Sequence, residues 1–469
     1  MALEDYYNIN PIAVIDQNQW DDRIPEVVMN FQRGPTIYSP LIDWTDRSAQ
    51  TGAQTSIFTD LLEGDVNNDE ISFTANYIED PLGLDSRQRE LAVKRYGDKV
   101  QVHKSSNYFQ MWKQSGGRNW QPLLRGLLGN NVRRKIELLS RNAFMLGPKS
   151  YWTYAKAGVS DFSGLDYSAK FNLSMVNAWN LRLGSTGIPV IPGDKAKAKV
   201  AIIPPGSTYD FQESLAAASA SEAALWRDAQ IYSSSVETLS YEIGSYKNIR
   251  FVEVPSDTYG LNPAVLYNAG NIFKQCTITS AIQAGDGAPD PETTKVDETW
   301  KVGQKDVTHY IQLSDFDAGE FEVNDFVSIH TLRTNAFGVT NGVNFLSGRT
   351  IVRRVVAVDA ANNRLSFDRP IMNKYTTDLG GGVYGYVTKA VHVGFNLVLG
   401  SRGGIMGNTN KMIEFYEPKP VDDFESVWRY VWDINAGWNI WEPTLFECHF
   451  SAVSLPKPGG VITPDDLYV

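Results

Sequence analysis

The sequence predicts an α+β protein with more than one core, and three observations carry that prediction. "KAKVAIIPPGSTYDF" at 197–211 and "EIGSYKNIRFVEVP" at 242–255 each read as a strand ending in a turn, with an alanine-rich helix between them. "GRNWQPLLRGLLGNNVRRKIELLSRNAFML" places Leu124, Leu128, Val132, Ile136, Leu139 and Ala143 at steps of four or three, one apolar stripe on a long helix. Residues 277–391 change character: a polar "AGDGAPDPETT" linker precedes five short strands, the pattern of a small β-barrel or sandwich.

Along the chain, residues 1–35 read as an extended arm. Pro11, Pro25 and Pro35 prevent long helices there, while Ile12, Val14, Ile24, Val27, Val28 and Phe31 are apolar enough to need a surface to dock on. Residues 36–80 read as a hairpin-like excursion, with Ile71, Phe73, Ala75 and Tyr77 alternating with Ser72, Thr74 and Asn76. "DVNND" at 65–69 has the carboxylates of a calcium loop, but Glu70 stands where the sharp turn needs glycine. "LDSRQRELAVKRYGDKVQV" reads as a short charged helix and a strand.

In the long helix that follows, Asn119 is the candidate cap and Pro122 suits the first turn. Gly129, Asn130 and Asn131 predict a bend midway, and Arg133, Arg134, Lys135 and Arg141 a polar face. Phe171, Met175, Ala178 and Trp179 give a second helix over 165–183, and "ESLAAASASEAALWRDAQIY" at 213–232 a third. Val200–Ile203 ends at Pro204 and Pro205, which cannot donate to a ladder. Ile249–Val254 has no clean polar face, so it reads as a strand buried on both sides.

The later strands are "THYIQL", "DFVSIHTL", "RTIVRRVVAV", "NRLSFD" and "YGYVTKAV". "DAANN" is the hairpin turn between the third and fourth, and adjacent Arg353 and Arg354 suggest a bulge. "HVGFNLVLG" starts a further strand, "GSRGGIMGNTN" reads as a loop, Trp428, Val431 and Trp432 share a helical face, and "TLFECHFSAV" closes as a strand.

Chemistry-bearing motifs are scarce. Gly380, Gly382 and Gly385 formally match a dinucleotide loop, but a strand rather than a helix follows them. Cys276 and Cys448 are too few and too far apart for a disulfide framework or a zinc site, and His103, His309, His330, His392 and His449 are isolated. No nucleophile elbow, phosphate-binding loop or metalloprotease motif occurs. The reading is therefore no enzyme, with no catalytic, cofactor or metal residues. A net charge of −11 opposes sequence-independent nucleic-acid binding, although an acidic wall suits a container of packed DNA. No apolar run reaches membrane-spanning length, and the acidic N-terminus lacks the pattern of a secretory signal, so use in a cytosol is expected. Aromatic residues at 12% fit subunit interfaces, cores or sugar clefts alike.

The pairing of "AIIP" at 201–204, helix, and "NIRFVEVP" at 248–255 resembles the axial domain of tailed-phage major capsid proteins, in the branch of short-tailed phages with separately encoded scaffolds. The resemblance covers 35–275 and 392–455 and implies the Hong Kong 97-type fold. In its terms, 1–35 is an N-terminal arm, 36–80 the extended loop, and 81–160 the peripheral domain with its spine helix. Residues 161–276 are the axial domain, 277–391 an inserted β-rich domain on the outer surface, and 392–469 the return through both host domains. The function implied is self-assembly into pentamers and hexamers of an icosahedral virion shell around DNA, built in the host bacterial cytoplasm. The implied partners are further copies of the chain, a portal and a decoration protein. No long helical leader precedes the loop, so a separate scaffolding protein is expected. Two other classes stay open: a tail or surface protein holding carbohydrate through the insert and tryptophans, and a glycan-active enzyme whose carboxylate pair no motif reveals.

Overall fold

The computed structural model describes residues 36–45, 55–63, 84–103, 120–146, 152–183, 188–191, 197–232, 239–257, 260–279, 310–331 (without 315, 317 and 318), 350–368, 379–409 (without 380), 414–420 and 427–455 (without 454). The expected arm at 1–35, the alternating segment at 71–77, the 65–69 loop, Asn119, the 284–294 linker and His309 lie outside the described residues.

In chain order the elements are β1 (Asp43–Thr45), β2 (Thr55–Glu63), β3 (Leu84–Ala92), β4 (Lys94–His103), α1 (Trp120–Phe144), β5 (Trp152–Tyr154), α2 (Leu173–Arg182), β6 (Lys199–Ile203) and α3 (Pro205–Ala216). Next come α4 (Ala220–Ala223), β7 (Trp226–Asp228), α5 (Ala229–Tyr232), β8 (Glu242–Tyr246), β9 (Ile249–Glu253), β10 (Val265–Leu266) and β11 (Ile272–Ile278). The chain continues with β12 (Tyr310–Gln312), β13 (Phe326–His330), β14 (Thr350–Asp359), β15 (Arg364–Phe367) and β16 (Gly385–Ala390). It closes with β17 (Val393–Leu399), β18 (Ile405–Thr409), β19 (Glu414–Pro420), β20 (Val427–Ile440) and β21 (Phe446–Ala452). The architecture is mixed α+β and rich in sheet.

The central layer is an eight-stranded sheet ordered β5-β21-β17-β6-β9-β8-β7, with β10 also on β17. Its strands β6 and β9 run parallel, with α3, α4, β7, α5 and β8 between them; the 242–255 stretch, expected as one strand, is the antiparallel hairpin β8–β9, turned at Lys247 and Asn248. Both faces are covered. Val200, Ile202, Val252, Leu397, Leu399 and Phe450 point into one core with Tyr38 and Phe144. Their alternates Ala201, Ile203, Ile249, Phe251 and Val398 point into another with Phe171, Trp179 and Phe211. Near-continuous apolar strands are what a sheet buried on two sides requires.

A second sheet is built around β20, which pairs with β4 over ten residues and also with β18 and β19. Helix α1 lies against it: Trp432 Nε1 donates to Asn131 Oδ1 at 3.2 Å, and Lys135 sits 5.9 Å over the Tyr96 ring. Leu128, Val132, Leu139 and Ala143 of the predicted stripe are buried, while Ile136 is half-buried. The helix runs unbroken through Gly129–Asn131. A separate six-stranded sheet, β11-β16-β13-β14-β15-β12, surrounds its own core of Ile278, Ile311, Val327, Ile329, Val355, Leu365 and Val387. Its first and last strands meet at the antiparallel bridge Ile278–Leu313, with Thr279 N–H donating to Gln312 at 3.0 Å and Ser314 N–H to Thr277 at 2.8 Å.

Several local expectations are corrected. "LDSRQRELA" is strand β3, not a helix, because it pairs with β2 along nine residues and tertiary pairing overrides the helix propensity of Arg, Gln and Glu. Trp428 and Trp432 lie on β20, not a helix; Trp432, Ile434, Ala436, Trp438 and Ile440 alternate along it. "IMGNT" is strand β18, held against β20 at one side and β1 at the other, not a loop. The second helix begins only at Leu173, where Asn172 Oδ1 accepts the Met175 N–H. The third starts early, with Pro205 in its first turn, and the alanine run breaks after Ala216, at Ser219 and at β7. The β14 irregularity falls between Val355 and Ala357, just beyond Arg353 and Arg354.

Candidate assembly surface

Strands β2 and β3 form an antiparallel ribbon that makes a sheet of its own. Its return strand exposes Ser86, Gln88 and Glu90 and buries Leu91 where the ribbon meets β20. At that base Asn439 Nδ2 donates to the Glu90 carbonyl. Gly437 makes the approach possible: a Cβ there would lie 2.3 Å from the Ala92 carbonyl oxygen. The same strand β20 therefore anchors the ribbon and carries α1 on its apolar row.

Helix α1 is tied to the rest by polar groups: Glu137, and Arg134 and Arg141 of the expected polar face. Glu137, 3% exposed, accepts the backbone N–H groups of Ile37, Tyr38 and Ser39. Burial raises its pKa, and those N–H bonds act against the rise. Arg141 is also buried: it donates to Pro263 O at 2.7 Å and twice to Asn142 Oδ1. Burial lowers its pKa to about 10. Arg134 pairs with Asp257. Arg133 and Lys135 remain exposed.

Three buried titratable groups have shifted pKa values. Burial pushes Asp210 up to about 7, with Lys170 opposing and Glu213 reinforcing. Glu447 is raised by burial against its bonds from Thr153 and Arg182. His449 is wedged between Phe171 at 5.6 Å and Trp179 at 5.9 Å, and burial, then Arg182, lower its pKa to about 3. Its neutral ring stabilises the fold fully above the free histidine value, and that contribution fades as pH falls toward 3. The buried carboxylates have raised pKa values and act in the opposite sense, so the difference between proteins isolates the histidine. His449→Phe is expected to be less acid-sensitive than the parent when thermal melting is followed from about pH 7 to about pH 4. Parallel melting curves would exclude this role.

Among the described residues no cluster of His, Cys, Asp and Glu is placed to hold a metal, and no helix is long and apolar enough to cross a membrane. Cys276 and Cys448 form no disulfide and are buried in separate cores. Gly382 precedes strand β16 rather than a helix. His330 is buried and hydrogen-bonded to Thr388. Trp432 is buried against α1, and Trp438 packs edge-on to Trp44 and Tyr96 at 5.8 and 5.9 Å. These two tryptophans are packing groups, not the wall of an open cleft.

No protein-family model matches the chain, and no curated protein does. Among solved structures it is similar to the capsid of Ralstonia phage GP4 at a TM-score of 0.45 and 8% identity, over 96% of this chain and 95% of that one. It is also similar to the capsid of Helicobacter pylori bacteriophage KHP30, TM-score 0.41 and 9% identity, over 90% of each chain. The cyanophage Pam1 capsid matches at a TM-score of 0.41 and 9% identity, over 88% of each.

Proposed function

We propose that this chain is the major capsid protein of a tailed double-stranded-DNA phage, with the Hong Kong 97-type fold, and that it works by packing against copies of itself. One observation carries the reading: a single long strand, β20, anchors a two-stranded ribbon on one side and a 25-residue helix on the other. An isolated two-stranded ribbon is marginal in water and needs a surface to lie on. The ribbon pairs with no third strand among the described residues, and a neighbouring copy supplies such a surface. The motif resemblance at 197–255 supports the same assignment, with α1 as the spine helix, the eight-stranded sheet as the axial layer and the ribbon as the extended loop.

In this reading the six-stranded sheet of 272–390 is a barrel inserted into the axial layer. Its support is that the chain leaves from β10 and returns through β17, which pair directly with each other. Contacts spread over several neighbours make each one weak and the closed shell stable, and a specific contact buries about 1,000 Å² or more. Pentamers and hexamers, a DNA filling, a portal, a separate scaffolding protein and a decoration protein complete the proposal. Uniform closed shells from this chain alone would contradict the scaffold.

The ribbon assignment has its own test. Gly437→Val lifts β3 from β20 without entering a core, so the subunit stays folded by circular dichroism while assembly fails in electron micrographs. Shells formed at the parental yield would overturn the assignment.

A further inference from the structure

A buried residue, Asn268, sits where the six-stranded sheet joins the host sheet, and its backbone N–H is held by a histidine. Asn268 is fully buried with φ +56°. Its side chain reaches three groups of the six-stranded sheet: Nδ2 donates to Phe326 O at 3.1 Å and Ser328 Oγ at 3.0 Å, and Oδ1 accepts the Ala390 N–H at 2.9 Å. Its backbone N–H donates to His392 Nδ1 at 3.1 Å. His392 begins the return to the host sheet, and its carbonyl accepts the Val453 N–H at 2.8 Å. Tyr267 and Phe326 pack edge-on against its ring at 5.4 and 6.5 Å. Beside the hub, Gly270 N–H bonds Val391 O and Val391 N–H bonds Asn271 O, both at 2.9 Å.

We infer that His392 is an acid-operated latch that fixes the orientation of the six-stranded sheet on the host sheet. An imidazole whose Nδ1 accepts a hydrogen bond is neutral and carries its proton on Nε2. A second proton has to go on Nδ1, where it meets the Asn268 N–H head-on. Two donors then face each other, the Asn268 N–H being buried, and either the ring or the Asn268 backbone must turn away. Asn268 holds its positive φ through the same three side-chain bonds, so its movement loosens all of them together.

The surrounding charges favour the latched state near neutrality. The charge of Lys389 on β16 disfavours a second cation on the ring; Lys389 is itself paired with Asp325 at 2.7 Å. Tyr267 keeps its phenol protonated, donating to Gly260 O and accepting the Asn262 N–H. Arg141 of α1 reaches the neighbouring Pro263 carbonyl. Burial, then Lys389, lower the His392 pKa to about 4. The latch contribution is complete above the free histidine pKa and is lost as pH falls toward 4.

Hydrogen–deuterium exchange of the full chain tests this. After correction for the intrinsic rate, exchange at Gly270, Ala390 and Val391 should rise by about tenfold or more between about pH 7 and about pH 4, while β13 and β14 stay protected. In His392→Asn, whose Oδ1 keeps the acceptor but cannot take the proton, the rise should vanish. Histidine C2-hydrogen exchange on the parent protein gives a reading that does not depend on the variant folding: the His392 midpoint should lie near 4. A midpoint near that of a free histidine would overturn the inference. So would unchanged protection of the joint in acid, or the same acid response in His392→Asn.

Discussion

Val132→Asp is expected to remove the folded protein from solution. Val132 is fully buried on α1, and the helix is the element to which β4, β20 and the 37–39 segment all attach. An aspartate there buries a carboxylate among apolar side chains, at a cost of about 3–5 kcal/mol, a large part of the ~5–15 kcal/mol that holds an ordinary domain together. Leu128→Asp should act in the same way, since that side chain is also buried. The neighbouring stripe position is the control. Ile136 is half-buried, so Ile136→Asp leaves its carboxylate a route to water and should give a soluble, weakened protein. Recovery in the soluble fraction and thermal melting separate the cases, and equal behaviour of the Val132 and Ile136 variants would mean that α1 does not seat as described.

The second large effect lies at the far edge of the eight-stranded sheet. Arg250 and Glu242 form a bidentate pair, Nε to Oε1 at 2.7 Å and Nη2 to Oε2 at 2.6 Å, with side chains only 7% and 0% exposed. The irregularity between Glu242 and Gly244 sets this pairing, and Gly244 leaves room for the Trp226 ring. Arg250→Ala abandons a buried carboxylate and should cost about 3–5 kcal/mol. The double variant Arg250→Met with Glu242→Leu removes both charges together and should recover most of that loss, because desolvation of the pair offsets much of its attraction. One bond is not replaced: the Leu239 N–H donates to Glu242 Oε2 at 2.8 Å in the parent. Denaturant unfolding of the three proteins gives the comparison. A single variant as stable as the parent would show that the pair is solvated.

Much of the eight-stranded layer was legible in the sequence because its signals are local. The prolines at 204 and 205 end β6 and start α3 in two consecutive residues, and β9 reads as doubly buried because it is. The five later strands and the turn at Asp359–Asn363 were equally local; Asp359 Oδ1 accepts the N–H groups of Ala361 and Asn362, and Asn363 takes positive φ. What failed was long-range. Strand β3 carries helix-forming residues and becomes a strand through β2. Strand β20 is fixed by β4, with Arg95 and Asp433 paired across 338 residues. Arg141 looked like surface because charge normally means water; only the fold brings the Pro263 carbonyl to it. The ribbon base depended on a glycine, Gly437, whose role appears only once Ala92 is beside it.

The proposed function requires that copies of this chain fit against one another. Electron microscopy of the purified full chain, across a concentration series, reads this out. Rings, curved sheets or shells should grow in with concentration and be lost in Gly437→Val; a uniform monomer at every concentration, with no particles in the micrographs, would rule self-assembly out.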